Sequence, residues 1–239
     1  MLSVAIWNLK GGTTKSTSAI NLGASLARSK RKVLLIDLDG QRTLSFGVGL
    51  DGATPTVIDW LAGKIDPLAT SVKNLLVIPG DIRMFRVTQG DFAQSLQGLI
   101  PLDLDVVLLD CPPNLGFAAV QAILNSDRVL LPTLCEPASL KGLSEAIELI
   151  RGDSPEKPVD VLRSRYKRTL VLTREADDLL VESAEDLGYR LLYTTIPENI
   201  SVAESIAQQQ PVTEYAPAST GAKAYKSLAK EVSKLWKVT

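Results

Sequence analysis

The sequence predicts an α/β fold: a doubly wound, mostly parallel sheet of about seven strands with helices on both faces. Three observations predict it. Apolar, β-rich runs alternate with helical patterns along the whole chain. Most of those runs are apolar throughout, as strands covered on both faces are. The chain also opens with a strand, a glycine turn and a helix: Val4-Ala5-Ile6-Trp7 runs into a turn containing Gly11 and Gly12, and Ala19, Ile20, Leu22, Leu26 and Ala27 recur at helical spacing. A chain of 239 residues suits one domain with a large core, read here as 1–239.

The strands are expected at 3–7, 32–37, 75–79, 105–110, 128–132, 169–173 and 192–196. Helical patterns fall near 15–29, 55–62, 88–99, 116–125, 138–150, 177–187, 201–208 and 219–236. Segment 151–168 is polar, rich in breakers and basic, and reads as a surface excursion within the domain. In a sheet of this class ligands bind outside the carboxyl ends of the strands, so the loops that follow strands are the places to search.

Composition narrows the chemistry. There is no histidine, which removes Ser-His-Asp and Cys-His catalysis and histidine-ligated metals. Cys111 and Cys135 stand alone in apolar runs and read as buried free thiols. A net charge of −1 gives no global pull toward nucleic acid, so polyanion binding must come from local patches. No apolar stretch approaches the ~20 residues of a membrane span, and the start of the chain lacks a signal-peptide pattern. A cytoplasmic location is expected.

Residues 8–17, Asn8-Leu9-Lys10-Gly11-Gly12-Thr13-Thr14-Lys15-Ser16-Thr17, carry the clearest chemistry. Glycines let backbone N–H groups crowd a polyphosphate, and a helix N-terminus adds partial positive charge. Lys15 is placed to reach the terminal phosphates and Ser16 to ligate magnesium. The run fits K-G-G-x-x-K-[ST], with Thr14 at a position where a glycine is usual, so Thr14 must take glycine-like backbone angles or the loop shifts. A second loop, Asp37-Leu38-Asp39-Gly40-Gln41, puts two carboxylates on one side of a strand end. They suit a magnesium shell and the orientation of an attacking water, or are a solvated pair. A third, Val106–Asp110 followed by Cys111-Pro112-Pro113-Asn114-Leu115-Gly116, is an apolar strand ending in the carboxylate of a Walker B motif.

Taken in order, these segments resemble the ParA/MinD family of deviant Walker A ATPases, closest to Soj-like ParA-type partitioning ATPases. Further segments carry the resemblance from Ser3 to Trp236. They are Pro132–Leu143 with Glu136, the stretch Ile196-Pro197-Glu198-Asn199 leading to Glu204, Gln210-Pro211-Val212, and Ser219–Tyr225. Departures include Gly40 for a proline and Gln209-Gln210 for Gly-Lys.

The resemblance implies a P-loop NTPase fold and slow, partner-stimulated hydrolysis of ATP to ADP with Mg2+. Lys10, Lys15 and Asp39 are then catalytic. Nucleotide contacts come from Lys10, Gly11, Gly12, Thr13, Thr14, Lys15, Ser16 and Thr17, with Pro197 and Asn199 beside the base. Ser16, Asp37 and Asp110 surround the metal, the carboxylates through water. Lys10 is implied to cross to a partner's nucleotide in an ATP-dependent homodimer. The implied partners are non-specific nucleoid DNA and a ParB-like or cargo-adaptor protein, serving plasmid partition, chromosome segregation or the positioning of a protein assembly. Glu136 reads equally as dimer surface or as a charged residue at a helix start.

Two other readings compete. A MinD-type membrane-surface ATPase calls for an amphipathic helix beyond the domain, which is not expected here, so no stable membrane association is expected either. An ATP-dependent amide-forming ligase of the dethiobiotin or cobyrinate type leaves Lys10 without a role. For DNA, Glu198 and Ser201 stand where relatives carry arginines. The candidates are therefore Arg163, Arg165, Lys167 and Arg168 in the excursion, and Lys223, Lys226, Lys230, Lys234 and Lys237 on one face of the last helix. A solvated helix face is the plain alternative for the lysines.

Overall fold

The computed structural model describes residues 1–238. Its strands are β1 (Leu2–Ile6), β2 (Val33–Asp37), β3 (Leu68–Ala69), β4 (Leu75–Ile78), β5 (Val106–Asp110), β6 (Arg128–Leu134), β7 (Val159–Ser164) and β8 (Arg190–Leu191). The helices are α1 (Lys15–Arg28), α2 (Thr43–Gly47), α3 (Val57–Leu61), α4 (Phe92–Gln97), α5 (Phe117–Asn125), α6 (Pro137–Asp153), α7 (Val171–Asp186), α8 (Ile200–Ala207), α9 (Val212–Tyr215) and α10 (Thr220–Leu235). The strand order is β3-β4-β2-β5-β1-β6-β7-β8, and every pair is parallel except β3 with β4. This is the expected doubly wound architecture of the P-loop NTPases.

Alternation within each strand feeds two cores, one on each face. On β1, Val4 and Ile6 join the core beneath α1 and α10, while Ala5, and Trp7 just after the strand, join the core beneath α3 to α7. Burying a Leu or Ile side chain of this kind stabilises the fold by roughly 1.5–3 kcal/mol. Helix α1 lies very close to the sheet, because a Cβ on Gly23 would stand 2.7 Å from Leu35 Cδ2. Tyr225, Leu228 and Val232 of α10, with Trp236 just past its end, form the buried stripe that the sequence predicted.

The expected strand at 169–173 is absent. Those residues lead into α7, and Leu170, Val171 and Leu172 are 48, 57 and 61% exposed. The strand lies instead at Val159–Ser164, inside the segment read as a surface excursion. Asp160 and Arg163, its charged residues, are taken up in pairs. Asp160 accepts from Arg128 Nη1 at 2.5 Å and from Trp236 Nε1 at 2.8 Å. The strand expected at 192–196 is shifted to β8, although Leu192 and Ile196 still donate to the Val161 and Arg163 carbonyls of β7. The eighth strand, β3, is two residues long and antiparallel, too short to leave a periodicity.

Topology sets up the site. β5 lies between β1 and β2, so Asp110 is in register with Ile6 on one side and Asp37 on the other. The loops after these three strands therefore meet at one end of the sheet.

Candidate nucleotide-binding site

The loop between β1 and α1 is pinned at its start by Asn8. Its Nδ2 donates to the Pro132 carbonyl at 2.9 Å, and its Oδ1 accepts from the Lys10 amide at 2.9 Å. The Lys10 carbonyl then accepts from Thr13 Oγ1 and from Lys15 Nζ, each at 3.2 Å. Gly12 has φ +75° and Thr14 has φ +72°, ψ 25°. Thr14 thus takes the glycine-like conformation and the loop keeps its path, at a steric cost of about 1–2 kcal/mol for an L-residue. The Thr14 hydroxyl lies 3.3 Å from that of Ser18. No side chain caps α1, which leaves its first-turn N–H groups available to an anion. A Cβ on Gly11 or Gly12 would meet nothing within 4 Å, so the space in front of the loop is open.

Behind the loop sit the carboxylates. Asp37 is fully engaged: Oδ2 accepts from the Ser45 amide at 2.9 Å and the Ser45 hydroxyl at 2.6 Å, and Oδ1 accepts from the Asp39 amide at 3.1 Å. Burial nevertheless raises its pKa to about 6, against the pull of the Ser45 hydrogen bonds. Asp110 is the opposite case. Both its oxygens are buried without a hydrogen-bond partner among the described residues. Burial, with the charge of Asp37 beside it, pushes its carboxyl well above the usual carboxylate range. Burial lowers Lys15, an effect opposed by Asp110 and Asp39. An orphaned carboxylate next to the Ser16 hydroxyl is the donor set a hydrated magnesium ion needs, since that ion keeps waters and takes one or two carboxylates. Asp37, with most of its lone pairs taken, ties the end of β2 to α2 through Ser45.

A cleft of about 640 Å³ opens in front of these groups. Gly11, Gly12, Thr14, Lys15, Ser16 and Thr17 line it together with Asp39, Pro197 and Asn199. Thr13 is buried beneath the loop. Asn199 donates from Nδ2 to Thr220 Oγ1 at 2.9 Å, while its Oδ1 is buried against Gly221 without a hydrogen-bond partner among the described residues. Lys10 does not enter the cleft. Its ammonium donates to Ser139 Oγ at 2.9 Å and lies 3.8 Å from Glu136 Oε2.

Comparison with known proteins adds identity to this geometry. A model described as an AAA domain matches residues 1–153, and the model of cellulose biosynthesis protein BcsQ matches residues 79–232. The sporulation initiation inhibitor protein Soj of Bacillus subtilis is 31% identical over 246 residues, 96% of this chain and 97% of that one. The chain belongs to the ParA/MinD family of P-loop ATPases. Among solved structures of the family, the cell division ATPase MinD of Pyrococcus furiosus superposes with a TM-score of 0.83 at 29% identity, over 98% of this chain and 99% of that one. The septum site-determining protein MinD of Pyrococcus horikoshii, complexed with Mg-ADP, gives 0.82 at 29% identity, over 99% and 98%.

Within this ParA/MinD fold the basic residues of 151–168 are not a free patch. Arg163 belongs to β7, is 11% exposed and pairs with Asp177 at 2.6 Å, so it is corrected from DNA candidate to buried ion pair. Arg165 and Lys167 both pair with Glu198, at 2.7 and 2.6 Å, which neutralises them locally. Arg168 remains exposed. On α10, Lys223, Lys230 and Lys234 are exposed, Lys226 is half-buried with its ammonium on the Pro217 carbonyl, and Lys237 lies past the helix end at φ +54°. Sequence reasoning missed Arg165, Glu198 and Tyr225 as cleft-lining residues. Glu198 and Tyr225 fall inside segments that carry the family resemblance and Arg165 among the DNA candidates, yet nothing local shows that they face the cleft, which depends on how α10 and the loops after β7 and β8 fold together.

Proposed function

We propose that this ParA/MinD ATPase binds ATP with magnesium, dimerises on the bound nucleotide, and hydrolyses it slowly under stimulation by a ParB-like or cargo-adaptor protein, so as to partition or position a cargo over nucleoid DNA. The observation that carries the reading is the pair of lysines on one loop. Lys15 already serves the cleft of its own chain, and Lys10, five residues earlier, is turned out of it. A second lysine on a phosphate loop has work to do only where a second nucleotide approaches.

Ser16 and, through water, Asp110 would hold magnesium, which supplies charge neutralisation at the phosphates. Asp39, 8% exposed at the cleft wall, would orient the attacking water. The uncapped N-terminus of α1 and Lys15 would hold the phosphates, and Pro197 and Asn199, which line the cleft, would lie beside the base. The Mg-ADP bound to the Pyrococcus horikoshii neighbour supports the same ligands here.

For DNA, the exposed α10 lysines are the remaining basic stripe. A dimer would double it, so binding should be ATP-dependent, indifferent to sequence and steeply salt-sensitive. The match to the cellulose biosynthesis protein model favours a second reading of the cargo alone, as a protein assembly instead of DNA.

The test combines Asp39→Ala, which should trap ATP, with analytical ultracentrifugation in ATP and magnesium, and with duplex-DNA anisotropy across a salt series. ATP-dependent dimers that bind random DNA support the reading. A chain that binds ATP and stays monomeric refutes it, and dimers that ignore DNA at low salt shift the matrix to another surface.

A further inference from the structure

Asp39 sits at the head of a tight turn. Its Oδ1 accepts from the Gln41 amide at 2.9 Å, and its carbonyl accepts from the Arg42 amide at 2.9 Å. One carboxylate oxygen is thus spent on the turn, while the residue lines the cleft. Gly40 holds the second position of this turn, where proline is favoured because its ring presets φ. The turn itself does not call for glycine. Gly40 has no positive φ, and its amide donates to nothing among the described residues. Phe85 does call for it. A Cβ on Gly40 would stand 2.7 Å from Phe85 Cδ2 and Cε2 and 2.9 Å from Cγ, so the ring fills the place of the absent side chain.

Phe85 is 55% exposed, so core burial does not explain where its ring lies. The 3₁₀ segment that carries it, Ile82–Arg86, is firmly anchored. Asp81 accepts from the Arg83 amide at 2.8 Å and from the Thr56 hydroxyl at 3.1 Å, and Met84 is buried in the core. Gly40 and Phe85 also line, with Leu38, Met84, Pro112 and Asn114, a cavity of about 80 Å³ separate from the cleft. The turn therefore has room to move once the ring is gone, and glycine is the residue that resists such movement least.

We propose that Phe85 is a positioning residue for Asp39: its ring braces the turn at Gly40 and keeps the Asp39 carboxylate aimed at the cleft. The inference rests on the reading of Asp39 as the residue that orients the attacking water. Phe85 lies outside the cleft lining and touches no nucleotide in this account. A proline at position 40 would fix the turn from within, through its own ring. The glycine leaves that restraint to a side chain 45 residues farther along the chain. Misplacing a reacting group by about 1 Å costs up to about a hundredfold in rate, so a brace of this kind acts on turnover and not on affinity.

The experiment uses the full chain in two measurements. First, exchange of the Gln41 amide is followed by NMR in the nucleotide-free protein. Phe85→Ala is expected to speed it by about tenfold or more, through freer local opening of the turn. Adding Gly40→Pro to Phe85→Ala is expected to bring it back to within about threefold of native, because proline supplies the missing restraint. Second, ATP hydrolysis is measured with magnesium. Phe85→Ala is expected to lower kcat about fivefold to tenfold, with the affinity for a fluorescent ATP analogue and the thermal midpoint near native, and Gly40→Pro is expected to restore kcat in that variant.

Native exchange at Gln41 in Phe85→Ala overturns the brace. Faster exchange with native kcat overturns the positioning role, leaving a ring that only stiffens a turn. A loss of thermal stability that Gly40→Pro does not repair, with kcat still low, makes Phe85 a packing residue and overturns the proposal as well. Native kcat in Asp39→Ala sinks the reading of Asp39 and the catalytic consequence with it, and the exchange rates still decide whether the ring holds the turn.

Discussion

Lys15 Nζ lies 3.2 Å from the main-chain carbonyl oxygen of Lys10, so the phosphate loop closes on its own lysine. Nucleotide binding exchanges a neutral acceptor for an anionic one at the same ammonium, and hydrogen bonds to charged groups are worth about 1.5–3 kcal/mol. Lys15→Ala is therefore expected to weaken binding of a fluorescent ATP analogue by at least about tenfold. Native-like affinity in that variant would place the phosphates elsewhere.

Thr14 stores strain in the same loop. A β-branched residue at φ +72° costs about 1–2 kcal/mol, which glycine avoids while giving up some chain entropy on folding. Thr14→Gly is expected to raise stability by up to about 1 kcal/mol in urea unfolding and to bind ATP at least as well. Loss of stability would mean that the Thr14–Ser18 hydroxyl contact outweighs the strain.

Asp81 gives a pH signature away from the cleft. Its carboxylate accepts from Arg83 Nη2 at 2.6 Å and from Thr56 Oγ1 at 3.1 Å, and the Arg83 hydrogen bonds bring its pKa down from 3.8 to about 2. A folded-state value below the unfolded one means the stabilisation is fully present above about pH 4 and fades as pH falls through 2. Because Arg83 is 62% exposed, solvent screening leaves about 1 kcal/mol of it. Denaturant midpoints should show Asp81→Asn less stable than the native chain at pH 7, with the gap closing near pH 2. An equal gap at both values would assign the loss to packing.

Charge reversals should separate the two basic features. Lys230→Glu with Lys234→Glu is expected to abolish DNA binding and to leave ATP hydrolysis and thermal stability near native. Arg163→Glu breaks a mostly buried pair with Asp177 and is expected to lower stability by about 3–5 kcal/mol, whatever the ligand. Differential scanning calorimetry beside DNA anisotropy distinguishes the outcomes. If Arg163→Glu folds normally and loses only DNA, the segment is a binding patch after all.

The parts of the site that sit in one contiguous run were legible in sequence. Gly11 to Thr17 form a loop whose chemistry depends on its own order, and Asp110 ends a strand whose apolar run cannot be mistaken. The misread strand shows the limit. Val159–Ser164 is buried although it carries Asp160, Arg163 and Ser164, because Arg128, Trp236 and Asp177 arrive from distant segments to pair two of them. Leu170-Val171-Leu172 has the composition of a buried strand and lies exposed at a helix start. Periodicity reports burial only where burial is apolar. The direction of Lys10, the grip of Ser45 on Asp37 and the Glu198 ion pairs each depend on a partner far along the chain, and no spacing rule announces them.

Helix α10 touches both ends of the sheet. Near its start Thr220 holds Asn199 at the cleft, and just past its end Trp236 is tied to Asp160 of β7. Sixteen helical residues make this a rod of about 24 Å. A fluorophore carried at Lys237 would therefore sit roughly that distance from Thr220, outside the lining of the cleft. It would report tumbling and assembly without standing in the way of whatever docks over the cleft.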